Sequence, residues 1–199
     1  VLADGSRTTL LNNAIQPSLS ADGKQIIYVD YPQNDFQTPS LAIANIDGSG
    51  PHKLLTDQKG FQGFFAPHLS PDGKCMAFAA VGGPLSAPSS SATPSINEEP
   101  PPALQTLQTV GAILRDGIDA PAALADGLIW QVWTACIDGS KLHALGNLRE
   151  DYPYPLWSAD GKSILFLGSG GLYLIGADGT NLKRLGDGVS HGEIAWYQK

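Results

Sequence analysis

The chain has 199 residues, among them 23 Gly and 15 Pro, and only 16% of the residues are charged. This composition disfavours a helical protein and indicates short strands joined by turns. The net charge is −7 and the Lys and Arg residues are scattered along the chain, so the sequence offers no basic surface for phosphate backbones and we expect no nucleic-acid partner. No stretch approaches the roughly 20 apolar residues that cross a bilayer, so we expect no direct membrane span.

Two signatures built around Asp-Gly alternate along the chain. The first is Pro-x-x-Ser-x-Asp-Gly-Lys followed by an apolar run, and its three copies begin at Pro17, Pro67 and Pro155. The second is Asp-Gly-Ser or Asp-Gly-Thr followed by one or two Leu. Its four copies begin at Asp4, Asp47, Asp138 and Asp178. Asp-Gly between two apolar runs is a strong hairpin signal, so each copy predicts a turn between antiparallel strands.

The alternation of the two signatures predicts four-stranded antiparallel meanders with every Asp-Gly turn at the same edge. The inner runs are apolar on both faces, which is typical of a small sheet packed between neighbouring sheets. We therefore predict an all-β fold, a β-propeller of four-stranded antiparallel blades.

In chain order, the full blades are predicted over residues 17–56, 67–146 and 155–186. Residues 1–11 supply the last two strands of another blade, and residues 191–197 supply one first strand. We interpret the whole chain as a single propeller domain with three full blades and a composite or partial one. We expect it to be the C-terminal part of a longer propeller. The alternative is a four-bladed ring closed by the two terminal pieces.

Within the second full blade, residues 82–127 form an insertion. Its first part, from Pro84 to Ala103, contains six Pro and five Ser, which is the composition of an extended linker. Apolar residues then recur at helical spacing and predict one amphipathic helix over residues 103–117. The residues that define its apolar face are Leu104, Leu107, Leu114 and Ile118. This helix either covers the propeller's own apolar surface or docks onto a partner chain.

The repeated pattern Pro-x-x-Ser-x-Asp-Gly-Lys-x-Ile-x-Phe, with the Asp-Gly-Ser and Leu pair that follow it, resembles the TolB-type, WD-like propeller repeat. The resemblance covers nearly the whole chain except residues 82–127. It implies the fold but no particular activity, because such repeats occur in bacterial envelope proteins, in surface proteins and in the propeller domains that precede some serine peptidases.

The edge opposite the Asp-Gly turns is predicted to carry the connecting loops, and these loops are rich in aromatic residues. Aromatic and Arg side chains on loops over a rigid scaffold are typical of a binding surface. The candidates are Tyr31, Phe36, Phe61, Phe64, Phe65, Arg149, Tyr152 and Tyr154. For Phe61, Phe64 and Phe65 the alternative is that the rings fill the interfaces between blades.

No catalytic or metal-binding pattern accompanies the repeats. The four His residues are dispersed without a ligand spacing such as HExxH, and no Gly-x-Ser-x-Gly nucleophile elbow occurs. Most Asp residues lie in turns, where the side chain bonds the local backbone, and we interpret Gly168 to Gly171 as a tight turn between strands. The sequence predicts a protein that is not an enzyme and that needs no metal or cofactor.

Cys75 opens the second strand of its blade and Cys136 closes the third, so the two residues are expected to be adjacent in an antiparallel pair. A cross-strand disulfide is one hypothesis, and two reduced thiols are the other. A disulfide would staple the base of the insertion and imply an oxidising compartment.

The first functional hypothesis is a non-catalytic propeller that acts as a binding or assembly module. It would be a peripheral or accessory subunit of the bacterial cell envelope, periplasmic or extracellular, with protein partners that include a membrane-associated complex. The second hypothesis is the propeller domain of a serine peptidase or other hydrolase, and the third is a propeller that binds a small ligand or a glycan.

Overall fold

The computed structural model of the protein describes residues 8–32, 38–56, 59–84, 129–146, 150, 152–168 and 170–186. These residues form three four-stranded antiparallel sheets, and in each sheet the strands follow one another in chain order. The prediction of three four-stranded meanders is therefore confirmed. Within these ranges there is no helix long and apolar enough to cross a membrane.

Each sheet corresponds to one predicted blade. Blade 1 comprises β1 (Ala14–Leu19), β2 (Gln25–Asp30), β3 (Ser40–Asn45) and β4 (His52–Leu55). Blade 2 comprises β5 (Phe61–Leu69), β6 (Cys75–Gly82), β7 (Trp130–Cys136) and β8 (His143–Ala144). Blade 3 comprises β9 (Tyr154–Trp157), β10 (Ser163–Gly168), β11 (Gly171–Gly176) and β12 (Lys183–Gly186). Strand β5 packs against β1, and β9 packs against β5, so the blades are arranged around their first strands as in a propeller.

The hydrophobic core lies between the blades. Ile27 of β2 packs with Phe78 of β6 in the core between blades 1 and 2, while the preceding residue, Ile26, packs on the other face of blade 1. A second core between blades 2 and 3 joins Ala77 to Phe166. Successive residues of a strand point to opposite faces of its sheet. The inner strands β2, β6 and β10 are buried on both faces, and this explains why their sequences are continuously apolar.

Each of the three Asp-Gly-Lys turns has the same pattern of hydrogen bonds. In the first copy the Ser20 hydroxyl donates to the Asp22 carboxylate at 2.7 Å and accepts from the backbone N–H of Gln25 at 2.9 Å. The same carboxylate accepts from the backbone N–H of Lys24 at 3.1 Å, and Gly23 takes a positive φ of 69°. The equivalent bonds recur around Ser70 and Ser158. The Ser and Asp side chains accept hydrogen bonds from backbone N–H groups that have no partner in the neighbouring strand. The connection can therefore be longer than a two-residue hairpin.

Strand β5 begins well before Pro67, where the sequence pattern placed the start of blade 2. Its pairing with β6 extends back to Phe61, which lies opposite Gly82. Phe61 and Phe64 are each 2% exposed and pack in the core between blades 1 and 2. The prediction that these two residues lie in connecting loops is wrong, and the alternative, that their rings fill the interface between blades, is confirmed.

The insertion leaves blade 2 at the edge opposite the Asp-Gly turns, because β6 ends at Gly82 and β7 begins at Trp130. The predicted helix over 103–117 lies outside the described residues. The same holds for several candidate residues: Phe36, Leu104, Leu107, Leu114, Ile118 and Arg149.

Candidate functional site

Four aromatic rings meet at the loop edge of blades 2 and 3. Phe65 of β5 lies 5.1 Å from Tyr152 and 5.1 Å from Tyr154, measured between ring centroids. Trp130, at the start of β7, lies 4.8 Å from Tyr152 and 5.9 Å from Phe65. We call these residues, Phe65, Trp130, Tyr152 and Tyr154, the aromatic cluster. Most of its ring pairs are close to edge-to-face, the arrangement that the ring quadrupole favours.

The aromatic cluster has a buried base and an exposed tip. Trp130 is 5% exposed, whereas Tyr152 is 42% exposed; Phe65 and Tyr154 are half-buried. Tyr152 has a positive φ of 46°, a conformation that bulky residues rarely adopt and that is associated with functional sites. The cluster therefore presents a rigid aromatic surface to solvent, with its deeper rings fixed by packing.

Glu150 fixes the connection that carries Tyr152. It is 4% exposed, and its backbone exchanges two hydrogen bonds of 3.2 Å with Trp130. Its carboxylate accepts a hydrogen bond from the backbone N–H of Gly170 at 3.2 Å. A Cβ on Gly168 would overlap this carboxylate, which explains why a Gly occurs there. Glu150 thus ties the loop between blades 2 and 3 to the β10–β11 turn.

The predicted site residues divide into those that the structure brings together and those that it does not. Phe65, Tyr152 and Tyr154 belong to one cluster, to which Trp130 adds a ring that the sequence analysis missed. Tyr31 lies apart, packed against the core between blades 1 and 2, where burial raises the pKa of its hydroxyl. Trp130 opens β7 directly after Ile129. An apolar pair of this kind is typical of any buried strand, so the sequence carries no signal of the role of Trp130 in the cluster.

The opposite edge carries six aspartates that serve the turns: Asp22, Asp47, Asp72, Asp138, Asp160 and Asp178. In each, a hydrogen bond from a neighbouring Ser or Thr is the main cause of a pKa below the usual value for a carboxyl group. A backbone N–H adds to the effect in every turn. Each of these carboxylates therefore stabilises its own turn. Within the described residues no group of three His, Cys, Asp or Glu side chains is placed to hold a metal ion.

Cys75 and Cys136 are paired across β6 and β7, and the structure joins them in a disulfide. The backbone hydrogen bond from Ile137 N–H to the carbonyl of Lys74 shows that the cysteines occupy a non-hydrogen-bonded pair, where cross-strand side chains approach closely. The disulfide lies at the turn edge, whereas the insertion leaves from the loop edge. The expectation that it staples the base of the insertion is therefore wrong, because the length of β6 and β7 separates the two.

A cavity of about 550 Å³ lies beside this disulfide, between blades 2 and 3. Thr134, His143 and Trp157 also line it. The strand register explains the space: Thr134 occupies the β7 position that Ile43 occupies in β3, and Ile43 is fully buried between blades 1 and 2. A smaller, polar side chain at this position leaves the second interface less filled and opens the disulfide to solvent.

The similarity of this chain to known proteins is seen in solved structures and not in sequence. No protein-family model and no curated protein matches the sequence. The structure is similar to that of TolB from Acinetobacter baumannii, with a TM-score of 0.56 and 18% identity over 92% of this chain. It is also similar to a TolB-type protein from Agrobacterium tumefaciens, with a TM-score of 0.53 and 17% identity over 87% of this chain. The fold is that of a TolB-like β-propeller.

The TolB-like propeller is also similar to an acylaminoacyl peptidase from Pyrococcus horikoshii, with a TM-score of 0.52 and 16% identity over 94% of this chain. The chain spans 35% of the Acinetobacter protein, 50% of the Agrobacterium protein and 27% of the peptidase. Because one fold carries many functions, the role of this propeller has to be argued from its own residues.

Proposed function

We propose that this propeller is a non-catalytic module that binds a protein partner through the aromatic cluster. The single observation that carries the proposal is the exposure of Tyr152 above a base of packed aromatic rings. Tyr and Trp are enriched among the residues that dominate the energy of protein interfaces. Their rings bury a large area and lose little conformational entropy on binding.

The electrostatics of the described residues favour binding over catalysis. The aspartates of the turn edge accept hydrogen bonds from backbone N–H groups of their own turns. The Glu150 carboxylate accepts the Gly170 N–H and thereby holds the loop that presents Tyr152. These groups therefore position the backbone or the loop, which is the work expected of a scaffold.

We place the protein in the periplasm or outside the cell, as an accessory subunit of the bacterial envelope. Two observations support this part of the proposal: the resemblance of the repeats to TolB-type envelope proteins and the disulfide of Cys75 with Cys136. Disulfides persist in oxidising compartments and are rare in the cytosol. Intact-mass measurement of exported protein, with and without reductant, tests it, since a mass unchanged by reduction would contradict an oxidised pair.

The second candidate function is the propeller domain of a peptidase, which the similarity to the Pyrococcus protein favours. In that case the propeller would accompany a serine hydrolase domain. Labelling of the co-purified material with a fluorophosphonate probe separates the two functions. A labelled hydrolase in constant proportion to this chain supports the second candidate and contradicts the first.

A matched pair of variants tests the first candidate. Tyr152→Ala removes the exposed ring of the aromatic cluster, and Ile137→Ala removes a side chain of similar exposure, 38%, at the turn edge. Affinity capture from envelope extracts, quantified by mass spectrometry, should show one partner lost with Tyr152→Ala and kept with Ile137→Ala. An interface hot spot costs about 2 kcal/mol or more on truncation, so the loss should be large. Equal capture by both variants contradicts the proposal.

A further inference from the structure

A second, smaller cavity lies among the first strands of the three blades. Its volume is about 210 Å³, and its lining includes Gln16, Ser18, Ala66, His68, Tyr154 and Leu156. These residues come from β1, β5 and β9, so we call it the channel cavity. Among the residues that the structure describes, no Asp or Glu lines it, although the chain as a whole is acidic.

Two irregular strand segments shape the channel cavity. The pairing register shifts between Ile15 and Ser18 in β1 and between Phe65 and His68 in β5. Gln16 and Ala66, which lie in these segments, have positive φ values of 52° and 44°. Each precedes a proline, a position that normally takes extended backbone. Bulges of this kind redirect side chains and occur beside functional sites.

The side chain of Gln16 uses its acceptor, but not its donors, in a hydrogen bond within the channel cavity. The Oε1 atom of Gln16 accepts the backbone N–H of Ala66 at 2.7 Å, which fixes the amide orientation because only the oxygen can accept. The Nε2 amide group, with two N–H donors, makes no hydrogen bond among the described residues. Gln16 therefore offers donors to the cavity.

His68 and Ser18 add a further donor. The Ser18 Oγ and the His68 Nδ1 are 2.8 Å apart, and burial lowers the pKa of the imidazole, which keeps it neutral near pH 7. When the hydroxyl donates to Nδ1, the proton of the ring is on Nε2. In the other tautomer the Ser18 hydroxyl is the free donor. One N–H or O–H donor remains available in either case.

We propose that the channel cavity binds a carboxylate group. Several N–H and O–H donors converge there, and the described lining holds no carboxylate. A carboxylate ligand accepts hydrogen bonds at both oxygens. The volume is below the roughly 300–1,000 Å³ of pockets for drug-sized ligands, so it fits a small monocarboxylic acid or the last residue of a peptide. This site is separate from partner binding by the aromatic cluster, and either can fail without the other.

Histidine NMR of the full chain tests the proposal. The probes are sodium propionate, N-acetyl-Gly-Ala with a free C-terminal acid, and the same peptide as its C-terminal amide. We expect the acid peptide to shift the ring signals of His68 with saturation and to leave those of exposed His52 unchanged. The amide should have no effect. Saturation by propionate at similar concentrations identifies a small acid as the ligand, and saturation by the peptide alone identifies a peptide terminus.

A matched pair of variants completes the test. Gln16→Glu keeps an oxygen for the Ala66 N–H but replaces the donor amide by a negative charge, and Gln62→Glu adds the same charge at an exposed position of β5. Binding of the acid peptide should weaken by about tenfold or more in the first variant and stay unchanged in the second. Equal His68 shifts with acid and amide, or no shift with either acid, would overturn the proposal whether or not Gln16→Glu folds.

Discussion

Phe64 and Phe65 are consecutive in β5, yet they serve opposite faces of blade 2. Phe64 is 2% exposed in the core with blade 1, whereas the ring of Phe65 lies 5.1 Å from Tyr154 of blade 3. The alternation of side chains along a strand thus assigns one ring to stability and its neighbour to the aromatic cluster.

Alanine substitutions separate these two roles. Phe64→Ala should lower the free energy of unfolding by about 3–5 kcal/mol, because it empties a fully buried site. Phe65→Ala, at a half-buried position, should cost clearly less stability and should reduce capture of the partner. Urea denaturation measures the first effect, and affinity capture at matched protein concentration measures the second. Equal destabilisation by the two variants would refute the assignment.

The disulfide should contribute substantially to stability. It closes a loop with a sequence separation of 61 residues, and restricting the unfolded chain in this way stabilises a fold by about 2–4 kcal/mol. Reductant should therefore lower the urea midpoint of the wild-type protein. The double variant Cys75→Ser, Cys136→Ser should unfold at the same urea midpoint as the reduced wild type, with or without reductant. A wild-type midpoint that is the same with and without reductant would argue for free thiols.

The buried hydroxyl of the Asp-Gly-Lys turn should matter more than its counterpart in the other turn. Ser20 is 7% exposed, and its Oγ accepts from Gln25 N–H and donates to Asp22. Ser20→Ala leaves that backbone donor without its side-chain partner and should cost about 1–2 kcal/mol.

Ser49→Ala is the matched control. The Ser49 hydroxyl donates to the exposed carboxylate of Asp47 and accepts from the exposed side chain of Asn45. Water can replace both bonds, so the change in unfolding free energy should stay within about 0.5 kcal/mol. Similar costs for the two variants would show that the Ser20 network does not hold the turn.

Stability should fall in acid because of the turn aspartates. Hydrogen bonds from Ser and Thr hydroxyls keep the pKa of these carboxyls low in the folded chain, while the unfolded chain has the ordinary value of about 3.9. The stabilisation is complete above that value and is lost as the pH falls through the lowered pKa. Urea midpoints measured from about pH 6 down to about pH 3 should decrease.

The triple variant Asp22→Asn, Asp72→Asn, Asp160→Asn should have a flatter pH profile, since an amide oxygen still accepts hydrogen bonds but does not titrate. A wild-type midpoint that is constant over this range, or an unchanged slope in the variant, would show that these turns do not set the acid response.

The blades could be predicted from sequence because their turns are local. Asp, Gly and Ser within a few residues determine each turn, and the apolar runs beside them determine the strands. The start of β5 could not be predicted, since Phe61 pairs with Gly82 of the next strand and no local signal marks that pairing. Pro67 indicated a strand start, but it lies within β5.

The candidate site was harder to predict, because it depends on residues from different blades. Tyr152 and Tyr154 were evident as aromatic residues on a predicted loop. Trp130 and Glu150 were not singled out, since their roles follow from a bridge between the end of blade 2 and the start of β7. The donors of the channel cavity depend on register shifts in β1 and β5, which the repeat pattern does not reveal.

Site-specific photo-crosslinking tests the central claim most directly. p-Benzoylphenylalanine replaces Tyr152 in the aromatic cluster, and in a control it replaces Ile137 at the turn edge. Irradiation of intact cells should give one discrete protein adduct from position 152 and none from position 137. No adduct from position 152, or the same adducts from both positions, would contradict the account of the loop edge as the partner-binding surface.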